Sequence, residues 1–247
     1  MITTKLSVYE VYSQPIVPLS FAVSFVSLVG FFYGCILSGL AKTEKQISWL
    51  LTFASSLVCT IISMPCFYRF IASGGDMRLL GIEEGWQTAM VCFFITYLAL
   101  DLSLGSIYYR RRITVLTGWF HHTLYIFVLT WFLRMRTASF FCTAAILELP
   151  TLILAIGSLC KSLRCDILFA TSFFLLRLVF HVWMIGALKY YHRIENLWLV
   201  AVAILPLHLY WFYGIIQQQI NQHPKTFQRL CAVFRPKQDI FEKVLAA

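Results

Sequence analysis

Charged residues are scarce in this chain: only 13% of its 247 residues are Asp, Glu, Lys or Arg, whereas 60% are hydrophobic. A typical soluble domain carries roughly a quarter charged residues. A water-soluble fold of this length has too little interior to bury so much apolar surface, and a disordered chain has the opposite composition. The scarcity of charge therefore excludes a soluble domain and a disordered segment, and it predicts a protein whose solvent is largely lipid.

Several chemical signatures are absent as well. No two of the eight cysteines form a CxxC motif, and most lie inside apolar runs, where a thiol behaves as a small hydrophobic group. We therefore expect neither a disulfide nor a zinc site. The P-loop, GxSxG and HExxH motifs are missing. All eight lysines lie outside the apolar runs, which excludes a retinal Schiff base, and six histidines are too few for the histidine boxes of a membrane di-iron enzyme. No metal is expected.

Seven apolar runs reach the length of about 20 residues that is needed to cross the hydrocarbon core of a membrane. They cover residues 16–40, 47–70, 86–107, 115–133, 138–159, 167–188 and 198–216. The connecting segments are short and leave no room for a soluble domain. The sequence thus predicts an all-α polytopic membrane protein with seven transmembrane helices.

The net charge of +9 is typical of nucleic-acid binding, but the basic residues lie in short loops between the apolar runs. In such loops an excess of Lys and Arg marks the cytosolic side. Twelve basic residues lie on the side of the C-terminus and seven on the other side. We therefore expect no nucleic-acid partner, a luminal or external N-terminus and a cytosolic C-terminus. In the tail, Phe227, Leu230 and Phe234 share a helical face, which predicts either an interfacial helix or a solvated tail.

Ionisable groups inside a transmembrane segment are costly, so they mark functional sites. Away from their ends, the predicted spans contain seven of them: Asp101, His121, His122, Glu148, Arg177, His181 and His208. Their depth follows from the number of residues to the cytosolic end of the helix, at about 1.5 Å per residue. By this count Asp101, His121, Glu148, Arg177 and His208 lie about 12–16 Å deep. Because five helices place a titratable side chain at nearly one level, we predict that they face a shared interior.

Within this layer the sequence predicts particular pairs. Glu148 and Arg177 are the expected ion pair, and Asp101 is expected to accept a hydrogen bond from His121 or His122, which fixes the tautomer of that ring. Phe94, Tyr97, Asp101, Gly105 and Tyr108 recur at helical spacing and predict one inward face. Pro150 and Pro206 lie two residues from Glu148 and His208, and each is expected to interrupt its helix at mid-membrane. The alternative is that the polar groups serve packing only.

The chemistry that remains is a histidine acting as a base or as a nucleophile towards an acyl group, in a cavity screened from water. A neutral imidazole beside Asp101 can deprotonate an amine or a hydroxyl, or it can carry the acyl group itself. A hydrophobic tunnel would hold the acyl chain, and Trp119, Trp183 and Trp211 are candidates to line it.

These elements resemble the TLC domain family, which includes ceramide synthases, translocation-associated membrane proteins and smaller TLC-domain-containing proteins. The resemblance is carried by TYLALD at residues 96–101, GWFHHTLYIFVL at 118–129, LELPTLILAIGSL at 147–159 and FFLLRLVFHVW at 173–183. The similar region covers about residues 44–217. It implies an N-terminal segment with the first helix at 1–43, a six-helix TLC barrel around a lipid cavity at 44–217, and a cytosolic tail at 218–247.

The resemblance also implies a location in the endoplasmic reticulum and a site. His121 and His122 match the histidine pair with which ceramide synthases transfer an acyl group from acyl-CoA. The second motif of those enzymes, HD-x-x-D, is not matched, because the corresponding helix offers Glu148, Leu149 and Pro150. This departure brings the chain closer to the family members that are not synthases.

We therefore predict a lipid-handling membrane protein that binds a phospholipid, a sphingolipid or a fatty acyl chain and affects membrane lipid composition. Acyl transfer by His121 and His122, with Asp101 orienting them and acyl-CoA as co-substrate, is one version of this function; no cofactor is expected. The residues expected to contact the lipid are Tyr97, Tyr125, Glu148, Arg177, His181, His208 and Trp211. The alternatives are a non-enzymatic cargo-escort protein of the secretory pathway and, less favoured, a proton-coupled transporter.

Overall fold

The fold is all-α in the computed structural model, which describes residues 5–81 and 83–222 apart from the side chain of Thr117. Within these residues the regular structure is helical throughout, with no strand. The protein is therefore an all-α polytopic membrane protein, as the composition predicts. The predicted tail face of Phe227, Leu230 and Phe234 lies outside the described residues.

Within the described residues, ten α-helices follow one another. They are α1 (Val8–Tyr12), α2 (Ile16–Leu37), α3 (Glu44–Ala72), α4 (Gly85–Tyr108), α5 (His121–Met135), α6 (Ala138–Ala144), α7 (Leu149–Leu159), α8 (Asp166–Phe173), α9 (His181–Tyr191) and α10 (Leu197–Gln222). Two π-helical segments, Val115–Phe120 and Phe174–Phe180, lead directly into α5 and α9. Short 3₁₀ turns cover Met77–Gly81, Arg110–Arg112, Ala145–Glu148 and Lys161–Leu163.

In the part of the chain that the structure describes, six helical stretches are long and apolar enough to cross a membrane. They are Ile16–Leu37, Glu44–Ala72, Gly85–Tyr108, Ala138–Leu159, Asp166–Tyr191 and Leu197–Gln222. They coincide with six of the seven predicted spans. The remaining span, predicted at 115–133, is helical from residue 115 to residue 135, but it is not among the six. Its two adjacent histidines lower its hydropathy, and these residues belong to the candidate site.

Polar residues at the loop ends fix where the long helices begin. Thr43 caps α3: its hydroxyl accepts a hydrogen bond from the Gln46 backbone, and the Gln46 side chain accepts one from the Thr43 backbone. Glu84 and Gln87 form the same reciprocal arrangement at the start of α4. Such caps satisfy N–H groups that have no partner inside the helix. Gln46 also donates to the Leu159 carbonyl, so the start of α3 is tied to the end of α7.

The helices form a ring, in which α4 is the most buried of the spans. Going around the ring, α5 packs against α4, α4 against α3, α3 against α6 and α7, and α7 against α8, with α9 and α10 completing the circle. Helix α2 packs against α4 away from the interior of the ring. Its buried residues follow a helical stripe, which is the face turned to α4: Val17, Ser20, Ser24, Leu28 and Phe32.

The two predicted interruptions at proline differ in outcome. At Pro150 a 3₁₀ turn ends at Glu148 and α7 begins at Leu149, so the helix changes its geometry at this point. At Pro206 the prediction of an interrupted helix is wrong, because α10 continues through this residue to Gln222. Proline removes one backbone hydrogen bond from a helix, and in a helix of 26 residues the bonds on either side hold the segment together.

Candidate functional site

A cavity of about 590 Å³ lies inside the ring. Its wall takes polar side chains from α3, α4, α5, the Glu148–Pro150 corner and the second π-helical segment: Thr52, Tyr97, Asp101, His121, His122, Glu148, Thr151 and Arg177. The wall near the basic loops includes Ser48, Arg112 and Gln218, so the cavity extends towards that end of the helices. The structure thus brings most of the predicted polar layer into one chamber, whose wall also includes Trp211.

Arg177 is the most highly connected group of the layer. Its Nη2 donates to Glu148 Oε1 at 3.0 Å and to Thr151 Oγ1 at 2.8 Å, and its Nε donates to the Leu147 carbonyl at 2.9 Å. The side chain of Arg177 is 7% exposed and that of Glu148 is 21% exposed. A charged group at this depth is tolerated only when it is paired, so the guanidinium depends on the corner that the 3₁₀ turn creates around Glu148.

Asp101 lies between a tyrosine and a histidine. The Tyr109 hydroxyl donates to Asp101 Oδ1 at 2.8 Å, and His122 Nδ1 lies 3.5 Å from the other carboxylate oxygen. The second distance fits an ion pair and is longer than a good hydrogen bond. Of the two histidines that the sequence left as partners of Asp101, the structure thus places His122 beside the carboxylate.

His121 faces the cavity without a polar partner of this kind. Its ring packs against Tyr125, with centroids 4.4 Å apart, and against Trp211 at 5.3 Å. Among the described residues, its Nδ1 is buried and has no hydrogen-bond partner. The aromatic rings hold the imidazole in place and leave this nitrogen without a described partner.

Both π-helical segments end at histidines of the polar layer. Val115–Phe120 precedes His121, and Phe174–Phe180 contains Arg177 and precedes His181. A π-helix widens the backbone and occurs frequently at functional sites. The carbonyl of Arg177, in the second π-helical segment, lies 3.1 Å from His208 Nδ1.

A second, smaller cavity of about 90 Å³ lies beyond Arg177. Its wall is largely apolar and includes Phe132, Phe140, Phe180, Met184 and Ile204, together with Tyr125, His181 and His208. Phe94, Glu148 and Arg177 line both cavities. The predicted lipid-contact residues therefore fall into two groups: Tyr97, Glu148, Arg177 and Trp211 line the larger cavity, whereas Tyr125, His181 and His208 line the smaller one.

The contacts of His208 select one tautomer. Its Nε2 lies 3.4 Å from Arg177 Nη1, which can only donate, so Nε2 is the acceptor. The proton is then on Nδ1, which lies 2.8 Å from His181 Nδ1 and 3.1 Å from the Arg177 carbonyl. His181 Nδ1 must therefore accept. Arg177, His208 and His181 form a continuous hydrogen-bonded chain across three helical segments.

Some predicted inward residues lie elsewhere. Trp119 and Trp183 do not line either cavity: Trp119 is 45% exposed, and Trp183 packs against Phe70 and Phe180. On α4 the predicted stripe fails at its end, because Tyr108 turns to α2 and donates to the Tyr33 hydroxyl. Helix α2 covers this part of α4. The spacing of residues on α4 alone cannot show that a second helix packs against it there.

The residues of the site that were missed from the sequence include Thr52, Tyr109 and Thr151. Thr52 Oγ1 lies 3.4 Å from the Tyr97 hydroxyl. Uncharged hydroxyls are common in apolar helices, so only their position beside Asp101, Tyr97 and Arg177 identifies them. In the described part of the chain, no group of three or more His, Cys, Asp or Glu is arranged to hold a metal ion.

The comparisons with known proteins give one partial likeness. A stretch of 59 residues is 32% identical to "Glycosylphosphatidylinositol anchor biosynthesis protein 11" of Kluyveromyces lactis and covers 24% of this chain. The match spans 27% of the length of that curated relative. No protein-family model matches the chain. No solved structure matches it either.

Proposed function

We propose that this protein binds an acyl-chain lipid in the cavity of its helical ring and acts in membrane lipid metabolism. The observation that supports the proposal most strongly is the larger cavity, whose polar wall lies within a set of membrane-spanning helices. A volume of about 590 Å³ falls in the usual range of ligand sites. Polar groups in a membrane interior are energetically costly, so their presence indicates a functional site.

The two cavities suit the two parts of a lipid. The polar wall around Asp101, His121 and Arg177 offers donors and acceptors to a head group or an ester carbonyl. The smaller cavity offers an aromatic and aliphatic lining to the end of a chain. Phe94, Glu148 and Arg177 line both cavities. An acyl chain that passes these residues would therefore extend from the larger cavity into the smaller one.

In the catalytic version of this proposal, His121 is the base or the nucleophile. Its unpartnered Nδ1 would take a proton from an amine or hydroxyl, or attack the carbonyl of an acyl-CoA thioester, from which the coenzyme A thiolate leaves. His122, beside Asp101, would stabilise the charge that develops. The resemblance to the TLC family supports these roles and a location in the endoplasmic reticulum. The name of the partly similar fungal protein, which refers to the biosynthesis of a lipid anchor, is consistent with lipid metabolism.

Binding is tested by thermal unfolding of delipidated protein in detergent with added phosphatidylcholine, ceramide or palmitoyl-CoA. A molecule that binds only the folded state raises the unfolding midpoint with its concentration. We expect at least one of these probes to raise the midpoint of the wild-type protein. If none does so at concentrations up to its solubility, the proposed function is wrong.

Catalysis needs a separate test. Acyl transfer from palmitoyl-CoA to sphingoid bases and lysophospholipids is measured for the wild type, His121→Ala and Asp101→Asn. We expect His121→Ala to abolish transfer and Asp101→Asn to reduce it. If the wild type binds lipid but transfers no acyl group, or if His121→Ala retains full activity, the catalytic role fails, and the non-enzymatic escort function is favoured.

A further inference from the structure

The ring is not packed equally tightly all the way round. The other neighbouring helices make extensive contacts, whereas α5 and α10 approach each other only sparsely. The contact between them that involves the site is made by side chains: the His121 ring meets the Trp211 ring edge-on at 5.3 Å. The circle therefore has a seam between α5 and α10.

Residues from both sides of this seam line the larger cavity. Thr114, Gly118 and His121 come from the chain leading into and starting α5, and Trp211, Gly214 and Gln218 come from α10. Because α5 and α10 run in opposite directions, residues at helical spacing on one helix lie opposite residues at helical spacing on the other along the length of the seam. The wall of the cavity at this place is thus also the outside of the ring.

Gly214 leaves the seam open. It lines the cavity and is exposed, and a Cβ added to it would meet no described atom within 4 Å. Gly118 differs, because a Cβ there would collide with Ile113. Among the residues that the structure describes, α10 also contributes Trp211, Ile215 and Gln218 to the cavity wall, and Trp211 contacts the His121 ring across the seam.

The helical segments on the two sides of the seam expose large apolar side chains. Phe120 and Phe127 are 59% and 70% exposed on one segment, and Leu209 and Tyr213 are 52% and 64% exposed on the other. Residues 115–133 and 198–216 contain no Asp, Glu, Lys or Arg. In a helix that crosses a membrane such a surface contacts acyl chains, so a molecule that passes the seam is a lipid from the bilayer.

From these observations we infer that the seam between α5 and α10 is a lateral portal through which a membrane lipid reaches the cavity, with Trp211 and His121 as its closing pair. This inference rests on the proposed lipid-binding function. It names the route and the source: the lipid comes from the bilayer with its chain in the membrane. Delivery by a soluble carrier at the end of the cavity near Arg112 is the competing route.

The experiment measures loading of a photoactivatable probe. The purified protein is mixed with phosphatidylcholine vesicles that contain palmitic acid bearing a diazirine, and samples are irradiated at intervals. Mass spectrometry of the digested protein then follows adducts on cavity residues such as Phe94 and Phe173. We compare the wild type with Gly214→Trp and with Gly30→Trp, a matched control because Gly30 is an exposed helical glycine on α2 that also faces open space.

We expect Gly214→Trp to slow the appearance of cavity adducts at least fivefold, and Gly30→Trp to load at the wild-type rate. Gly214→Leu should load at an intermediate rate. If the tryptophan variant does not fold, the leucine variant takes its place in the comparison. Loading of the folded Gly214 variants at the wild-type rate overturns the portal. If the wild-type protein shows no cavity adducts at any time, the proposed lipid-binding function itself is wrong. The experiment thus distinguishes a failure of the portal from a failure of the proposed function.

Discussion

At the scale of single residues, the polar layer depends on the pairing of Arg177 with Glu148. Removing one partner of a buried ion pair leaves the other charge uncompensated, which typically costs about 3–5 kcal/mol. We expect Arg177→Met to lower the apparent free energy of unfolding in detergent by about this amount, because Glu148 Oε1 loses its donor at 3.0 Å. Thermal unfolding followed by intrinsic fluorescence gives the measurement.

The double variant Arg177→Met/Glu148→Leu provides the control. It removes both charges, so a large part of the lost stability should return, and the two substitutions should not be additive. If the double variant is as unstable as the sum of the two single variants, the ion pair contributes nothing specific, and the interpretation of this corner is wrong.

A residue outside the membrane segments gives a pH-dependent prediction. Burial, followed by the nearby Arg193, lowers the pKa of His192 to about 4, and the neutral ring accepts a hydrogen bond from the Ile194 backbone through Nδ1. The unfolded ring titrates near pH 6.5. Because the folded pKa is the lower one, this contribution is complete above about pH 6.5 and is lost as the pH falls towards 4.

We therefore expect the unfolding midpoint to drop by several degrees between pH 7 and pH 4.5, with part of the drop due to His192. In His192→Asn the side-chain oxygen can still accept from the Ile194 N–H, but it does not titrate, so the pH dependence should become flatter. An unchanged slope in this variant would show that His192 plays no part.

Residue pairs differ in how far the sequence predicts them. Glu148 and Arg177 follow from depth alone, since both lie at one level and carry opposite charges. The partner of Asp101 does not, because adjacent helical side chains point about 100° apart and the rotation of α5 decides which one meets α4. Tyr109 joins Asp101 from outside the helix that carries it, and spacing within a helix cannot predict such a contact.

At the scale of helices and segments, the π-helices show a second limit of the sequence. The span bounds followed from apolar runs, and 138–159 was predicted to the residue. The π-helical turns at Val115–Phe120 and Phe174–Phe180 were not predicted. Such short segments lie within apolar runs, and the hydropathy of a run does not show where its helix changes from α to π. One of them carries Arg177, whose carbonyl contacts His208 of α10, and a contact between distant segments is not visible in the sequence of either.

Helix α2 was predicted as an addition before the six-helix domain, and its packing leads to a test. Phe32 is fully buried and meets Tyr108 of α4, with ring centroids 5.4 Å apart. Replacing a buried phenylalanine by alanine costs about 3–5 kcal/mol. We expect Phe32→Ala to lower the unfolding midpoint clearly, whereas Phe25→Ala, at a position that is 52% exposed, should change it little.

The measurement is again thermal unfolding in detergent, with both variants purified in parallel. Wild-type midpoints in both variants would mean that α2 is attached only loosely to the ring. A similar loss in both would indicate that the exposed face of α2 is also packed.

At the scale of the whole molecule, the count of basic residues predicts that the loop with Cys160 and Cys165 faces the cytosol. Both thiols are exposed. In sealed microsomes of endoplasmic reticulum, a variant with these two cysteines and no others should react with a membrane-impermeant maleimide without detergent. Moving the pair to the opposite end, at Ser73 and Asp76, gives the control, which should react only after detergent is added.

The opposite pattern of labelling would reverse the predicted orientation of the chain. It would leave the ring and its cavity unchanged, because these depend on helix packing and not on which side faces the cytosol.

The closed ring itself could be predicted only in part. The common depth of the polar groups predicted one interior, and the structure places Asp101, His121, Glu148 and Arg177 around one chamber. The division into a polar and an apolar cavity, and the sparse contact between α5 and α10, depend on how each helix is tilted and rotated. These are properties of side-chain packing between distant segments, which periodicity within one segment does not encode.

The central claim, that a lipid occupies the ring, is tested most directly by native mass spectrometry of the protein released from mild detergent. We compare the wild type with Thr52→Trp, which places a bulky ring in the larger cavity, and with Ile61→Trp, on the same helix at a position that is 60% exposed. We predict a lipid adduct on the wild type and on Ile61→Trp, and its loss in Thr52→Trp. A wild type without any adduct, or an adduct that Thr52→Trp retains in full, would contradict the account.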